Sequence, residues 1–285
     1  MARCLVTGHK GYIGSKLFNK LKELGHDVRG IDIESEDISE RFDIRWHLFN
    51  SEKNFSHLKF QPEYIFHLAA KPSVQWSVDN PSESLAHNVM GSSNVLEYAK
   101  LVNAKRVIFA SSAAAIEPSS PYGAHKRMTE IECKIYSSLY DIDTVSLRYF
   151  NVYSEDQKYG GPYSTVISAW LESIKKNKPL RLDGDGSQTR DFIHVDDIVG
   201  ANIHCMRYKH AFKGEIYDVG TGCCQSLLEI KKYFDNFFNV EWDVQAERPG
   251  DIKHSKANIT KLNNIGWRPK IDLKTGLRRC VTHDT

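Results

Sequence analysis

The chain has 285 residues, of which 41% are hydrophobic and 26% are charged, and its formal net charge is +2. This length can bury one large core, or one main domain together with a smaller lobe. The balanced charge gives no reason to expect a nucleic-acid or membrane partner. No apolar run is long enough to span a bilayer, and the N-terminus lacks the layout of a signal peptide.

The six cysteines are scattered, apart from the adjacent pair Cys223 and Cys224. Their spacing fits no zinc site, and a chain of this size does not need disulfides to hold its fold. The twelve histidines form no metal-ligand pattern either. These observations predict a cytoplasmic protein with reduced thiols and no bound metal.

The first half of the chain alternates strand patterns with helical ones. Apolar residues recur at helical spacing over residues 13–24, Pro81 opens a second helical pattern, and residues 122–140 form a third. Strands separated by helices predict an α/β fold, with a Rossmann-type, doubly wound parallel sheet and helices on both faces. The predicted strands are residues 3–7, 28–33, 64–69, 106–111 and 144–149.

The second half of the chain contains glycine-rich turns between shorter elements. Helices are predicted over residues 165–176 and 196–208, between brief strands. We therefore predict two domains, residues 1–152 and a smaller α/β lobe formed mainly by residues 153–285. Segments around residues 185–225 are expected to return partly to the first domain.

Three glycines, Gly8, Gly11 and Gly14, lie where the first strand meets the first helix. Glycine permits a tight turn and lets a pyrophosphate approach bare backbone. The helix N-terminus offers unpaired N–H groups and a partial positive charge to the phosphates. Turns also use glycine for purely structural reasons, but the position at a strand–helix junction favours a dinucleotide site.

Asp32 ends the second predicted strand, at about the spacing expected for a residue that binds a ribose. A carboxylate there accepts hydrogen bonds from a 2′-hydroxyl and repels a 2′-phosphate, so it favours NAD over NADP. The alternative is a solvated acid at a strand end, because residues 32–40 are rich in acids.

Tyr122 and Lys126 are four residues apart in a predicted helix, so their side chains share one face. A free tyrosine titrates near pH ~10, too high for a base at neutral pH. A nearby ammonium and the positive nicotinamide ring would favour the phenolate. The phenolate could then take a hydroxyl proton from a sugar while hydride leaves the same carbon.

A serine at the end of the preceding strand, Ser111 or Ser112, is placed to bond the same oxygen. The alternative interpretation of the tyrosine and lysine is a surface pair, since Tyr12 and Lys16 repeat the spacing inside the first helix. The position of Tyr122 after the fourth strand favours the catalytic interpretation.

Further motifs occur in a fixed order along the chain. They are residues 7–14, Asp32, residues 43–44 and 67–70, Asn88, and residues 111–112, 122–126, 147–153, 184–192, 194–197 and 248–251. With this series the chain resembles the extended short-chain dehydrogenases, specifically the NAD-dependent epimerase/dehydratase family, and most of all its UDP-glucose 4-epimerases. The resemblance runs from about residue 3 to about residue 278.

The resemblance implies that the first domain binds NAD and that the second lobe binds a nucleotide sugar. The implied catalytic triad is Ser112, Tyr122 and Lys126. The residues expected to line the NAD site are Gly8, Gly11, Tyr12, Ile13, Gly14, Asp32, Asp43, Ile44, Leu68, Ala69, Ala70, Asn88, Tyr122, Lys126 and Tyr149. The residues expected to hold the nucleotide sugar are Asn151, Arg190, Arg248, Asp251 and Ser255.

The two arginines suit this role because a guanidinium pairs well with a diphosphate. The alternative for Arg190 is an ion pair with Asp191 or Asp197.

The reaction is inferred from the residues after the catalytic serine. Dehydratases of the family carry acidic residues there, and decarboxylating relatives carry a glutamate, whereas this chain has Ala113 and Ala114. Reductase relatives generally use NADP, which Asp32 disfavours. Epimerisation needs only the triad and NAD: the sugar is oxidised at C4, the keto sugar rotates, and hydride returns to the other face.

The resemblance therefore favours a 4-epimerase of a UDP-hexose or a UDP-N-acetylhexosamine. A reductase or a dehydratase of the same family is one alternative. A non-catalytic NAD-binding regulator is another, because the loop that in relatives helps to cover the sugar is drastically shortened between Ser112 and Tyr122.

Two further expectations follow from the family. Relatives commonly dimerise through the second and third predicted helices, which here carry the apolar residues Leu85, Leu96, Ile131 and Ile135. We therefore expect a homodimer, and the alternative is that these residues only face the sheet.

The second expectation concerns sugar size. In the 4-epimerases, the position four residues after the aspartate of Arg-Pro-Gly-Asp borders the 2-substituent, and a tyrosine there excludes N-acetylated sugars. Here that position is Ser255, which leaves room and offers a hydroxyl to an acetamido group. We expect N-acetylated UDP-hexosamines to be accepted at least as well as plain hexoses, unless Ser255 is merely a surface turn residue.

Overall fold

The structure is a computed structural model that describes residues 1–37, 41–45, 60–157, 165–247 and 253–283. Its strands are β1 (Arg3–Thr7), β2 (Asp27–Ile31), β3 (Tyr64–His67), β4 (Arg106–Ser112), β5 (Asp143–Tyr149), β6 (Asn151–Tyr153), β7 (Leu180–Asp183), β8 (Thr189–Arg190), β9 (Phe192–His194), β10 (Glu215–Val219), β11 (Gln225–Ser226), β12 (Trp242–Gln245) and β13 (His254–Ser255). Its helices are α1 (Tyr12–Glu23), α2 (Val74–Asp79), α3 (Pro81–Leu85), α4 (Gly91–Leu101), α5 (Pro121–Leu139), α6 (Val166–Lys175), α7 (Val195–Arg207), α8 (Leu227–Phe237), α9 (Thr260–Asn264) and α10 (Leu273–His283). A π-helical turn at Ala86–Met90 joins α3 to α4, and a 3-10 turn at Ala113–Ala115 follows β4.

The chain forms two units, each with its own apolar core. The first contains Met1–Arg148 and Val199–Tyr217, and the second contains Tyr149–Ile198 and Asp218–Thr285. The chain therefore leaves the first unit near the end of β5 and returns to it for most of α7 and the start of β10. Among the helices of the described ranges, none combines the length and the apolar character needed to cross a bilayer.

The central sheet has the strand order β10-β5-β4-β3-β1-β2. β1 pairs in parallel with β2 on one side and with β3 on the other, and β3 pairs in parallel with β4. The predicted α/β fold with a doubly wound parallel sheet is confirmed. The strand order reverses between β1 and β3, so the carboxyl ends of these strands flank the switch point at which such sheets bind ligands.

The second strand ends earlier than its apolar pattern predicts. β2 stops at Ile31 rather than at Ile33. The Asp32 carboxylate accepts a hydrogen bond from the backbone N–H of Glu34, which turns the chain out of the sheet. The other four predicted strands agree with the structure within two residues at either end.

The first helix ends where the sequence predicts. α1 buries Leu17 and Leu21 on the sheet and stops before Gly25. Gly25 has a left-handed backbone (φ 77°), and its N–H donates to the carbonyl of Lys22. Glycine adopts this conformation without the steric cost that a side chain would add, so it terminates the helix.

The second predicted helix is divided by the π-helical turn between α3 and α4. The turn holds Asn88, which is fully buried and bonds the backbone of Lys71 through its amide group. Of the two apolar residues expected on an outer face of this helix, Leu85 is 38% exposed but Leu96 is only 1% exposed and packs inside. Helical periodicity did not predict the turn because its partner, Lys71, lies on another segment.

The second unit is organised around large buried side chains, among them Tyr153, Trp170 and Phe234. Its small sheets pair β8 with β11 and β13, β7 with β12, and β6 with β9. α6 and α8 each begin with a capping box, at Thr165 and Ser226. The caps satisfy backbone N–H groups that a short helix would otherwise leave unpaired.

Arg106, at the start of β4, ties the returning segment to the sheet. Its guanidinium pairs with Asp143 on β5, and the two side chains are 8% and 13% exposed. The same guanidinium donates to the backbone carbonyls of Cys205, Tyr208 and His210. Because both charges are buried, water cannot replace these partners.

We expect Arg106→Met to destabilise the protein by about 3–5 kcal/mol, since it leaves the charge of Asp143 buried without its partner. The measurement is the shift of the urea unfolding midpoint followed by circular dichroism. Lys20→Met, which removes an exposed pair with Glu23, is the control and should change the free energy of unfolding by less than about 1 kcal/mol. Equal shifts in the two variants would contradict the prediction.

Candidate active site

The glycine loop is folded tightly onto the end of β3. Gly8 has a φ of 74°, and a Cβ atom added there would lie 2.7 Å from the backbone nitrogen of Ala69. A Cβ atom added at Gly14 would lie 2.0 Å from the carbonyl oxygen of Gly8. Glycine is required at both positions, and it lets α1 begin directly beside the switch point.

The N-terminus of α1 is not covered by a capping side chain, because the residue at the cap is Gly11. Tyr12 and Ile13 form the first turn, with Tyr12 half-buried and Ile13 buried. Backbone N–H groups at such a terminus carry a partial positive charge and bind phosphates. The arrangement fits a pyrophosphate.

Asp32 lies just beyond β2 and next to the glycine loop. Its carboxylate accepts a hydrogen bond of 3.0 Å from the backbone N–H of Lys10, which is part of that loop. The carboxylate predicted to bind a ribose is therefore adjacent to the N–H groups predicted to bind the pyrophosphate.

Asp43 and Ile44, two further residues predicted at the cofactor, are followed by Arg45. The Arg45 guanidinium bonds both carboxylate oxygens of Asp43, at 2.7 to 3.2 Å. Burial opposes ionisation of Asp43, but the bonds from Arg45 outweigh it and lower the pKa of the carboxyl. Ile44 is buried against Gly91, where α4 begins.

Hydrogen bonds through His67 hold the end of β3. Its Nδ1 bonds the hydroxyl of Thr7 at 2.7 Å, and its Nε2 bonds the hydroxyl of Ser92 at 2.8 Å. Burial lowers the pKa of His67 to about 3, so the ring is neutral and can donate at one nitrogen and accept at the other. The N–H of Ala69 also donates to the Thr7 hydroxyl, which ends β3 at His67 and fixes residues 68–70 beside the glycine loop.

Asn88 links this segment to α5. Its side-chain oxygen accepts from the N–H of Lys71 at 2.9 Å, and its side-chain nitrogen donates to the carbonyl of Lys71 at 3.1 Å. Its own carbonyl accepts from the hydroxyl of Thr129 on α5 at 3.0 Å. Both ends of the amide are thus engaged with protein backbone, and Asn88 fixes residues 68–71, three of which were predicted at the cofactor.

The two serines at the end of β4 have different partners. The hydroxyl of Ser112 accepts from the N–H of Ala114 at 3.2 Å and lies near enough to Tyr122 to act against the rise in the pKa of that tyrosine. The hydroxyl of Ser111 donates to the carboxylate of Glu130 at 2.6 Å. Ser112 is therefore the serine that lies beside the tyrosine.

Tyr122 lies in the first turn of α5, which is held in three ways. The hydroxyl of Ser120 caps the helix by accepting from the N–H of Gly123 at 3.2 Å. The N–H of Tyr122 donates to the hydroxyl of Ser77 on α2 at 3.0 Å. A Cβ atom added at Gly123 would lie 2.4 Å from the carbonyl oxygen of Ala114, so glycine lets the 3-10 turn pack directly on the helix.

Tyr122 and Lys126 share one buried face of α5, with 6% and 2% exposure. The Nζ atom of Lys126 lies 5.9 Å from the centre of the Tyr122 ring and 4.7 Å from that of Phe109. It donates a hydrogen bond of 2.8 Å to the carbonyl of Ala110 on β4. The structure thus brings together the three residues predicted as a triad.

Burial acts on the titration of both residues. It raises the pKa of Tyr122 to about 12, although the nearby hydroxyl of Ser112 acts to lower it. It lowers the pKa of Lys126 to about 7. Tyr122 is therefore protonated at neutral pH in the protein alone, and additional positive charge must approach it before it can act as a base.

The second unit holds the residues predicted at the nucleotide sugar, in two of its small sheets. Arg190 on β8 is paired in register with Ser255 on β13 and with Gln225 on β11. Residues paired directly across strands project from the same face of a sheet, so these three side chains form a row. The side-chain nitrogen of Asn151 on β6 donates to the carbonyl of Asp191 at 3.1 Å.

The two acids that were alternative partners of Arg190 are held by backbone donors. The buried carboxylate of Asp191 accepts from three backbone N–H groups, and that of Asp197 accepts from two. Both acids therefore fix loops of the second unit. Of the other predicted residues, Tyr149 closes β5 and is buried, whereas Arg248 and Asp251 lie outside the described residues.

Three residues that contact the predicted triad or its strand were not predicted from the sequence, namely Ser77, Gly123 and Glu130. Gly123 did leave a signal, because glycine in the first turn of a helix otherwise lowers helix stability and indicates a close approach. The serine and the glutamate left no signal, since their partners lie on other elements of the fold.

Known proteins resemble this chain over its whole length. The model of the NAD dependent epimerase/dehydratase family matches residues 4–220. A putative UDP-glucose 4-epimerase of Methanocaldococcus jannaschii is 33% identical over 97% of this chain and 96% of its own. The crystal structure of a UDP-glucose 4-epimerase from Thermotoga maritima with UDP-glucose has a TM-score of 0.90 at 31% identity, covering 99% of this chain and 98% of that one.

A second solved structure is that of a UDP-N-acetylglucosamine 4-epimerase from Methanobrevibacter ruminantium in complex with UDP-N-acetylmuramic acid. It has a TM-score of 0.87 at 31% identity and covers 99% of this chain and 97% of that one. The family match extends from β1 to the returning strand β10 and so takes in most of the chain. On this evidence, the chain belongs to the NAD dependent epimerase/dehydratase family.

Proposed function

We propose that this protein is an NAD-dependent 4-epimerase of a UDP-hexose or a UDP-N-acetylhexosamine. The observation that carries the proposal is the buried face of α5 that Tyr122 and Lys126 share, with Ser112 near the tyrosine at the end of β4. The likeness to 4-epimerases along nearly the full length of both chains supports the reaction.

The first unit supplies what an NAD molecule requires. The N–H groups of α1 are left uncovered by Gly11 for the pyrophosphate, and the Asp32 carboxylate beside them suits the ribose hydroxyls. A carboxylate at that place would repel the 2′-phosphate of NADP. The N-terminus of α1 and Asp32 would hold NAD, and the bound cofactor would supply the acceptor and donor of the hydride at C4 of the sugar.

Tyr122 is the proposed proton carrier. Its hydroxyl oxygen takes the proton of the sugar's 4-hydroxyl as hydride leaves C4, and gives the proton back after the keto sugar has rotated. Because burial raises the pKa of Tyr122 to about 12, the phenolate forms only next to positive charge, and the ammonium of Lys126 contributes part of it. The hydroxyl of Ser112 holds the tyrosine oxygen in place.

The turn after Ser112 argues against elimination and decarboxylation. Ala113 and Ala114 form the 3-10 turn and offer no carboxyl group to move a proton or to assist a leaving group. The reductase alternative is disfavoured by Asp32, since reductases of the family generally use NADP.

The alternative from another class is a non-catalytic NAD-binding regulator. The short connection between Ser112 and Tyr122 favours it, but the complete arrangement of Ser112, Tyr122 and Lys126 favours an enzyme. Incubation with a panel of nucleotide sugars distinguishes the two, because a regulator would bind NAD and convert none of them.

We expect Tyr122→Phe to lower kcat for interconversion of UDP-glucose and UDP-galactose by about 100-fold or more, the usual effect of removing a positioned general base. Phenylalanine keeps the packing of the ring, so the melting temperature should change little. Products are resolved by NMR. Tyr140→Phe, at the exposed far end of α5, is the control and should keep wild-type turnover. Near-normal turnover by Tyr122→Phe would rule out the mechanism.

The sugar is proposed to lie against the row formed by Arg190 and Ser255 in the second unit. Ser255 is half-buried, and its carbonyl accepts from the thiol of Cys224. Its small side chain leaves room for a 2-acetamido group and can hydrogen-bond it. We therefore propose that N-acetylated UDP-hexosamines are accepted at least as well as plain UDP-hexoses.

A tyrosine at this position would fill that room. We expect Ser255→Tyr to lower kcat/KM for UDP-N-acetylglucosamine by about 10-fold or more, while kcat/KM for UDP-glucose changes little. Ser255→Ala is the matched control, because it removes the hydroxyl without adding bulk. An equal loss on both substrates in Ser255→Tyr would contradict the assignment of Ser255 to the sugar's 2-substituent.

We further propose that the protein is a cytoplasmic homodimer. All six cysteines are free thiols, which suits a reducing compartment. On α5, Met128, Ile131 and Ile135 are exposed, and Leu85 is exposed on α3. Apolar side chains on adjacent helices form the kind of face that two-fold dimers bury. Leu96 is buried in the first unit and does not belong to this face.

A charge on the apolar face should prevent association. We expect wild-type protein at micromolar concentration to have the mass of a dimer by light scattering, and Ile131→Glu to have the mass of a monomer. Lys134→Glu, an exposed charge change on the same helix, should remain dimeric. A wild-type mass of one chain would refute the homodimer.

A further inference from the structure

Glu130 is a buried carboxylate on the same helix as Tyr122 and Lys126, one turn beyond the lysine. Its side chain is 0% exposed. One oxygen accepts from the hydroxyl of Ser111 at 2.6 Å and from Arg148 on β5 at 2.7 Å. The other accepts from Arg148 at 2.8 Å and from Arg127 at 3.0 Å. A carboxylate with this many charged donors is fixed in one orientation.

These bonds belong to a regular pattern between α5 and the end of β4. Three side chains spaced four residues apart on α5 face three consecutive residues of β4. Lys126 donates to the carbonyl of Ala110, Glu130 accepts from the hydroxyl of Ser111, and Tyr122 lies near enough to Ser112 for that serine to affect its pKa. Two of the three side chains belong to the proposed triad, and the third is Glu130.

We propose that Glu130 is a positioning residue for the reaction, which holds the Ser112 end of β4 in register with Tyr122 and Lys126. This proposal rests on the proposed function. Among the described hydrogen bonds, none joins the Ser112 side chain to α5, so a displacement of Ser111 would move the Ser112 hydroxyl away from that of Tyr122. Arg148 on β5 also bonds the Glu130 carboxylate, so α5 is fixed to two neighbouring strands.

The charge of Glu130 also acts on Lys126. The groups that face this lysine are Tyr122, Glu130 and Cys133 on α5 and His67 on β3. Burial raises the pKa of Cys133 to about 12 and lowers that of His67 to about 3, so both are neutral at pH 7. The negative charge that favours the ammonium of Lys126 against its burial is therefore that of Glu130.

The test measures steady-state kinetics with UDP-glucose and UDP-galactose. We expect Glu130→Gln to lower kcat by about 10- to 100-fold with KM nearly unchanged, because small misplacements of catalytic groups slow the chemical step. Ser111→Ala, which leaves both arginine pairs intact and is therefore expected to fold, should lower kcat by about 10-fold. Glu132→Gln is the matched control, since Glu132 bonds Ser93 in the same way on the side of α5 away from β4.

A second measurement does not require turnover. The side chain of Lys126 is titrated by NMR in isotope-labelled protein, with Lys126→Met to assign the signal. Glu130→Gln removes the negative charge that favours the ammonium, so the pKa of Lys126 should fall in this variant and stay unchanged in Glu132→Gln.

Wild-type kcat in both Glu130→Gln and Ser111→Ala would overturn the proposal, as would the same loss of kcat in Glu132→Gln. If the wild-type protein converts neither UDP-hexoses nor UDP-N-acetylhexosamines, the proposed function fails instead. The Lys126 titration then decides the role of Glu130, and an unchanged pKa in Glu130→Gln overturns it.

Discussion

The burial of one ammonium group is the constraint around which the first unit is arranged. Lys126 is 2% exposed, and its Nζ atom has a backbone carbonyl and the face of Phe109 as neighbours in place of water. Taking an ammonium out of water costs several kcal/mol, and this cost appears in the pKa of Lys126, which burial lowers to about 7. The hydrogen bond to the carbonyl of Ala110 links α5 to β4, so the residue that supplies positive charge to the candidate proton carrier also connects its helix to the sheet.

Close approach of backbones is the second condition, and glycine provides it on both sides of the site. At Gly8 and Gly14 it brings the first helix onto the end of β3, and at Gly123 it brings α5 onto the turn after β4. In each case a side chain would meet backbone rather than a flexible neighbour. The predicted cofactor loop and the helix of the proposed proton carrier thus both depend on positions that have no side chain.

The sequence predicted most of the fold because the fold follows from local patterns. The strands and helices of the first half have periodic apolar faces. Gly25 indicates the end of the first helix and Pro81 the start of a later one, because each limit depends on the backbone preference of that one residue. For the candidate site, the spacing of Tyr122 and Lys126 predicts that they share a helix face, and their position after β4 distinguishes them from Tyr12 and Lys16, which repeat the spacing. The π-helical turn at Asn88 and the hydrogen bonds of Glu130 could not be predicted from the sequence, because their partners lie far along the chain. A sequence alone does not show which segments meet.

The return of the chain through α7 and β10 affects the order in which the protein folds as it is synthesised. Arg106 and Asp143 are translated early. The backbone carbonyls of residues 205–210 that accept from the Arg106 guanidinium are translated only after much of the second unit. Until β10 arrives, β5 is an open sheet edge, which is prone to pair with other chains. A ribosome-bound chain therefore cannot complete the sheet of the first unit until β10 has been synthesised.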